Sequence, residues 1–221
     1  LVIRRQRQMC IRDSYVPGSR VKSWVSCPIE ELGDDGDVLA KKFVQAVEIA
    51  HHNNYRAVTH NKGIMNGVDA LAIATGNDFR AVDAGIHAYA GKDGNYRGLS
   101  RARIEKDVFW FELEIPLAVG TVGGLTKLHP LVQWSHQLLQ NPNAKELMQV
   151  MAVSGLAQNF AALRSLVTTG IQKGHMKMHL LNILNQMGAT QPEKDAMIKH
   201  FTTNVVSFNA VEQALATWRK K

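Results

Sequence analysis

Residues 55–91 read YRAVTHNKGIMNGVDALAIATGNDFRAVDAGIHAYAG, and this stretch decides the fold class. It reads as two helices broken near Gly76-Asn77. The first is expected from about Gly63 to Thr75. It is apolar nearly all round, so it belongs in the interior. The second carries Phe79, Val82, Ile86 and Tyr89 at helical spacing on one face. It stops at Gly91, a residue suited to the position just past a helix end.

Upstream, Pro17-Gly18 and the LGDDG run at 32–36 mark turns. Between them and the central stretch, Leu39, Phe43, Ala46, Val47 and Ala50 recur at helical spacing. His51-His52-Asn53-Asn54 closes that helix. Downstream the period changes. Phe109, Phe111, Leu113 and Ile115 alternate with Trp110, Glu112 and Glu114, the mark of a half-buried strand. Residues 101–106 are its expected hairpin partner. GTVGG at 120–124 is a turn. Helices are expected over 131–139, over 144–169 with Gly170 as terminator, and from Gly174-His175 onward, with Met176, Leu180, Ile183, Leu184 and Met187 as the apolar stripe. Two short helices fill 192–221. The expected class is α+β: a helix-dominated large domain with a small antiparallel strand element, then a helical C-terminal segment.

Hydrophobic residues make up 45% of the 221 and charged residues 20%, the profile of a folded chain rather than a disordered one. The uncharged stretches 115–126 and 151–163 fall short of the roughly 20 apolar residues that span a bilayer, and no membrane partner is expected. Two cysteines, Cys10 and Cys27, make no disulfide framework, which points to a cytoplasmic setting. The net charge is +7, of which Arg4, Arg5, Arg7 and Arg12 against Asp13 supply +3. Residues 1–14 have neither period nor capping logic and are read as a non-native leader, or else a disordered basic arm. No aromatic residue is interleaved with those arginines, so nucleic acid is not the expected partner.

Few residue types here carry chemistry. Lys62 sits ahead of the expected buried helix, where a cation opposes the helix dipole and gains nothing locally. Its placement makes sense if it stabilises negative charge in a cleft. Asn66 shares its helix face one turn on, and Arg56 is suited to gripping a carboxylate. Asp78 is placed to cap the second helix, or to sit as a buried carboxylate beside the lysine, which would keep both ionised. His175 and His179 form an i, i+4 pair, but Met176 stands where the zinc-protease pattern needs Glu, and no metal is expected. His175 is a candidate acid. GTVGG lacks the spacing of a dinucleotide loop and the lysine of a P-loop. Composition and spacing alone reach an α+β domain with a Lys/Asp/His cleft.

Taken together, HNKGIMNG, ATGNDFRA, GTVGG-L-T, GLAQN and KGHM, in that order, resemble hydroxymethylglutaryl-CoA reductase from about Val38 onward. Asn61-Lys62-Gly63-Ile64 resembles the class II, bacterial-type form. The resemblance implies an oxidoreductase that converts 3-hydroxy-3-methylglutaryl-CoA to mevalonate and CoA with two NADH or NADPH, or runs in reverse. It implies Lys62 as the cation at the developing oxyanion, Asp78 as the aspartate that organises it, and His175 as the proton donor to the leaving thiolate. It places Arg56 and Asn66 at the hydroxymethylglutaryl group and Gln158 and Asn159 near the nicotinamide cofactor. It also implies a homodimer or higher oligomer with the active site between subunits.

Leu125 departs from the family, which has Gly or Ala before the threonine. The family's catalytic glutamate and its Asp-x-Met-Gly-x-Asn cofactor motif are not in this sequence, so a fragment is expected, itself inactive. Its expected division is 15–170 as the C-terminal part of the large domain and 171–221 as a flap carrying His175, hinged at 170–174. The competing reading is a non-catalytic basic module for nucleic acid or an acidic partner, supported only by the charge.

Overall fold

The computed structural model describes residues 18–168 and 171–219, and side chains outside 171–177. These residues form two compact units that part between Val167 and Thr168.

The first unit is built on a three-stranded antiparallel sheet of order β1-β3-β2: β1 Arg20–Pro28, β2 Ser100–Glu105 and β3 Val108–Pro116. β2 and β3 join through Lys106-Asp107, with φ of 49° and 63°. Two central residues with positive φ match the right-handed twist of a tight hairpin. β1 lies on the other side of β3, from Arg20 opposite Pro116 to Pro28 opposite Val108. This strand was not expected. Its inward positions include Ser23, and Trp24 is 59% exposed on the outer face, so the apolar alternation that reveals β3 is broken here.

The inner face of the sheet carries Phe109, Phe111, Leu113 and Ile115, each at most 1% exposed. Helices α1 Gly36–His52, α2 Asn54–Ala74, α3 Phe79–Ala90 and α6 Ala144–Val167 share the core with it. Phe43 of α1 meets the rings of Phe109 and Phe111 edge-on at 5.2 and 5.1 Å, a favoured aromatic geometry. α2 and α6 pack at backbone distance. A Cβ added at Gly67 would fall 2.5 Å from the Ser154 carbonyl oxygen, and one at Gly155 would fall 2.9 Å from Val68. Both helices therefore need glycine at the crossing. By length and composition α6 is apolar enough to cross a membrane. Here its Leu147, Met151, Ala152 and Leu163 fill the core instead.

Short helices α4 Leu125–Leu128 and α5 Pro130–Leu138 follow the GTVGG turn. The second unit holds α7 Ile171–Gln186, α8 Gln191–His200 and α9 Phe208–Arg219 around its own small core of Leu184, Met197, Val211 and Leu215. Glu193 closes a capping box with Thr190 and pairs with Arg219 at 2.7 Å. The Arg219 side chain and the Thr190 N–H pull its carboxyl down to about 2.

Candidate active site

Helix α2 begins nine residues before Gly63, the expected start. Asn53 caps it, its side chain accepting the Arg56 N–H at 2.9 Å. The polar run 54–62 concealed that first half, because its inward residues are Ala57, His60 and Asn61 rather than large aliphatics. Lys62 therefore stands in the helix interior, and the argument from an opposed dipole does not apply to it.

Its neighbours are fixed from inside. His60 is 1% exposed, and its Nε2 meets the Ser100 hydroxyl at 2.6 Å. Ser100 Oγ donates to Asn159 Oδ1 at 2.7 Å, so the His60 Nε2–H is the donor to Ser100. Asn159 Nδ2 donates back to the His60 carbonyl at 3.2 Å. Burial, with Arg56 and His51 adding to it, pushes the His60 imidazole down to about 3. Asn61 is also buried; it donates to the Arg97 carbonyl and accepts from the Leu99 N–H. With 60, 61 and 63 all turned inward, the Lys62 side chain is left on the outer face, and Asn66 is exposed on the same face one turn on.

Arg56 is half-buried. Burial lowers its guanidinium from the ordinary value, yet neither it nor Lys62 has a carboxylate partner among the described residues. A partly desolvated cation without an internal counter-charge is suited to an anionic ligand. Gln158, exposed on α6, brings its stem against Gly67, beside Asn66: a Cβ at Gly67 would meet Gln158 Cγ at 2.9 Å. Lys62 and Asn66 thus share the exposed face of α2, and Gln158 reaches that helix at Gly67, the residue after Asn66. Asn159 does not join them, since both ends of its amide are spent inside the fold.

Asp78 caps α3. Its Oδ1 accepts the N–H groups of Arg80 and Ala81 at 3.1 and 3.3 Å, and Arg80 Nε approaches it at 3.3 Å. The Ala81 N–H and Arg80 hold its carboxyl below the usual range. It is exposed and not beside Lys62. Twelve residues of continuous helix separate Lys62 from Ala74, about 18 Å at the α-helical rise. Within one chain the two residues do not meet. His175 falls in α7, but its side chain is outside the described residues.

One further carboxyl lies on this helix, Asp69. Burial, reinforced by Asp83 of α3, raises it to about 6, and its Oδ1 is buried without a hydrogen-bond partner. No sequence pattern singles it out, because its burial depends on α3 folding back over α2.

The hydroxymethylglutaryl-coenzyme A reductase family model matches residues 3–180. The chain is 47% identical over 165 residues to 3-hydroxy-3-methylglutaryl-coenzyme A reductase of Archaeoglobus fulgidus, covering 74% of this chain and 38% of that protein. It is 38% identical over 181 residues to a probable reductase of the same name from Borreliella burgdorferi, covering 80% and 42%. The chain thus spans about two fifths of the length of these relatives. A class II reductase of Streptococcus pneumoniae, solved bound to NADPH in open conformations, superposes with a TM-score of 0.69 at 40% identity, covering 93% of this chain and 51% of that one.

Proposed function

Because the chain belongs to the hydroxymethylglutaryl-coenzyme A reductase family, we propose that it supplies the substrate-facing part of an enzyme reducing 3-hydroxy-3-methylglutaryl-CoA to mevalonate and CoA. The observation that carries this reading is the pair of uncompensated cations, Arg56 and Lys62, on one helix with Asn66 between the Lys62 turn and Gln158. Such a surface suits a small carboxylate whose neighbouring thioester oxygen becomes negative during reaction.

A reduced nicotinamide cofactor, when bound, supplies hydride in two successive steps. Gln158 fits a place beside it, being exposed and with its amide unspent among the described residues. Asn159 does not offer a polar atom, so its role is to hold α6 and α2 together. Attack on the thioester carbonyl builds charge on oxygen, and a fixed cation such as Lys62 stabilises that charge without reorganising. Arg56 would hold the substrate carboxylate. His175 would protonate the departing CoA thiolate, whose parent pKa near ~8.5 makes it a poor leaving group unaided.

Asp78 reaches a lysine only if a second copy brings it there. A cytoplasmic homodimer with the site between subunits is part of this proposal, with residues 171–221 acting as a flap. The deciding experiment is turnover in a complete reductase carrying this segment. Lys62→Ala should lower it by at least about 10²-fold, the usual scale for losing an oxyanion stabiliser. Turnover close to the parent's would return Lys62 to an ordinary surface role.

A further inference from the structure

The outer face of the sheet carries a feature that the proposed reaction does not use. Where β1, β2 and β3 meet the end of α3 and the segment that follows it, a cleft of about 350 Å³ opens. That volume lies at the lower end of the range for small-molecule pockets, roughly 300–1,000 Å³. None of the residues lining it is among those assigned to the thioester chemistry.

The charges in the cleft are unequal. Lys22, Lys92, Arg97 and Arg101 line it, against Asp93, Glu112 and Glu114. Two of the three acids are already saturated. Glu112 pairs with Lys22 at 3.0 Å and with Arg103 at 3.1 Å. Glu114 pairs with Arg20 at 3.1 Å and accepts the Tyr89 hydroxyl at 3.0 Å. Arg97 and Arg101 have no ion pair among the described residues. Lys92 lies over the Tyr89 ring at 3.8 Å. The carbonyl end of α3, which would repel an anion, is closed: the Gly91, Lys92 and Arg97 N–H groups bond to it.

An aromatic surface adjoins these cations. On the same sheet face Trp24 stands opposite Glu112, with Arg101 opposite Glu112 on its other side. Trp24 is 59% exposed. Its ring lies 5.5 Å from that of Trp110, whose face is taken by Arg103 at 4.9 Å. Trp24 is thus largely exposed on the same sheet face, outside the cleft's lining and one strand from the residues of β3 that line it beside Arg97 and Arg101.

We propose that this cleft binds a phosphorylated small molecule, its phosphates gripped by Arg97 and Arg101 and an attached aromatic base laid on Trp24. Arginine forks match phosphate oxygens in pairs, and an exposed indole stacks a base without regard to its sequence identity.

The test is calorimetric titration of the purified chain with inorganic pyrophosphate and, separately, with ADP, followed also by tryptophan fluorescence. Both should bind, ADP more tightly and with quenching. Arg97→Ala with Arg101→Ala should weaken both at least tenfold. Trp24→Ala should weaken ADP and leave pyrophosphate unchanged. Lys145→Ala, on α6, is the control for general charge and should change neither. The altered side chains are exposed, and an unchanged far-UV spectrum verifies the fold. Failure of both ligands to bind at millimolar concentration, or binding that survives the double arginine variant, would overturn the proposal. Equal affinity for the two ligands would remove Trp24 from it. No outcome bears on Lys62, so this inference and the reductase reading fail separately.

Discussion

Lys62 lies in the middle of α2 and Asp78 beyond the C-terminal end of that helix, at the cap of α3, so more than three helical turns separate them although the chemistry expected of them requires contact. A rigid helix cannot fold back to join them, and the distance is too great for a lysine side chain to cross. Either the pair forms between copies, or the two residues do not act together.

Subunit mixing distinguishes these cases. In a complete reductase, Lys62→Ala and Asp78→Asn should each be nearly inactive alone; Asn retains a helix-capping side chain. Mixed and reassembled, they should form hybrid dimers with one intact site, recovering roughly a quarter of parental activity for a symmetric dimer with random pairing. Absence of any recovery in verified hybrids would show that the pair does not form between copies.

His175 should act at one step only. Hydride addition to the thioester yields a hemithioacetal, and its collapse expels the CoA thiolate. That step needs a proton, whereas reduction of free mevaldehyde has no thiolate to expel. His175→Gln should impair thioester reduction by about 10²–10⁴-fold and mevaldehyde reduction much less. Equal losses on both substrates would make the histidine a structural part of its helix.

Asp69 should make the fold depend on pH. Its carboxyl is raised to about 6 by burial and by Asp83, with His87 opposing. A folded-state value above the unfolded one means the folded chain holds the proton longer. The fold carries no penalty below the ordinary carboxylate value near 4, loses stability as pH rises from there to 6, and bears the full penalty above it. Asp69→Asn should therefore raise the urea midpoint at pH 7.5 and change it little at pH 4. The gain is on the order of 1 kcal/mol, because the side chain is only partly buried and water screens it. A variant that loses stability at pH 7.5 would show that the carboxylate has a favourable partner.

Asn159 tests the buried network. Asn159→Ala strips a partner from the Ser100 hydroxyl and from the His60 carbonyl, in a region where His60 Nδ1 is already unpaired. A loss of about 2–3 kcal/mol is expected from urea unfolding, the scale for stranded buried polar groups. The Ser100→Ala change should cost less in this background than in the parent, since the hydroxyl has lost its acceptor there. Additive losses would mean the two side chains are not coupled.

Much of this molecule was legible in the sequence. The alternation at 109–115 located β3, and the break at Gly76-Asn77 fell between α2 and α3. The sequence also points to Lys62 and Asn66, which share the exposed face of α2. What escaped was set by tertiary contact. β1 escaped because Trp24 is exposed and Ser23 is buried on a bond to the Ala152 carbonyl. The first half of α2 escaped because it buries His60 and Asn61, whose partners Ser100 and Arg97 lie some forty and thirty-six residues away. The reading of Asn159 as a cofactor residue overlooked that its amide is satisfied on both ends, which only the packing of α6 on α2 reveals.

The glycine crossing of those two helices limits how this sequence can drift. At Gly67 and Gly155 even one methyl group meets fixed backbone or a packed side chain, so accommodating it would force the helices apart. Their separation also sets the gap between Asn66 and Gln158. A side chain at either position would thus widen the spacing of the two helices, and with it the gap between the proposed substrate residue Asn66 and Gln158 across from it.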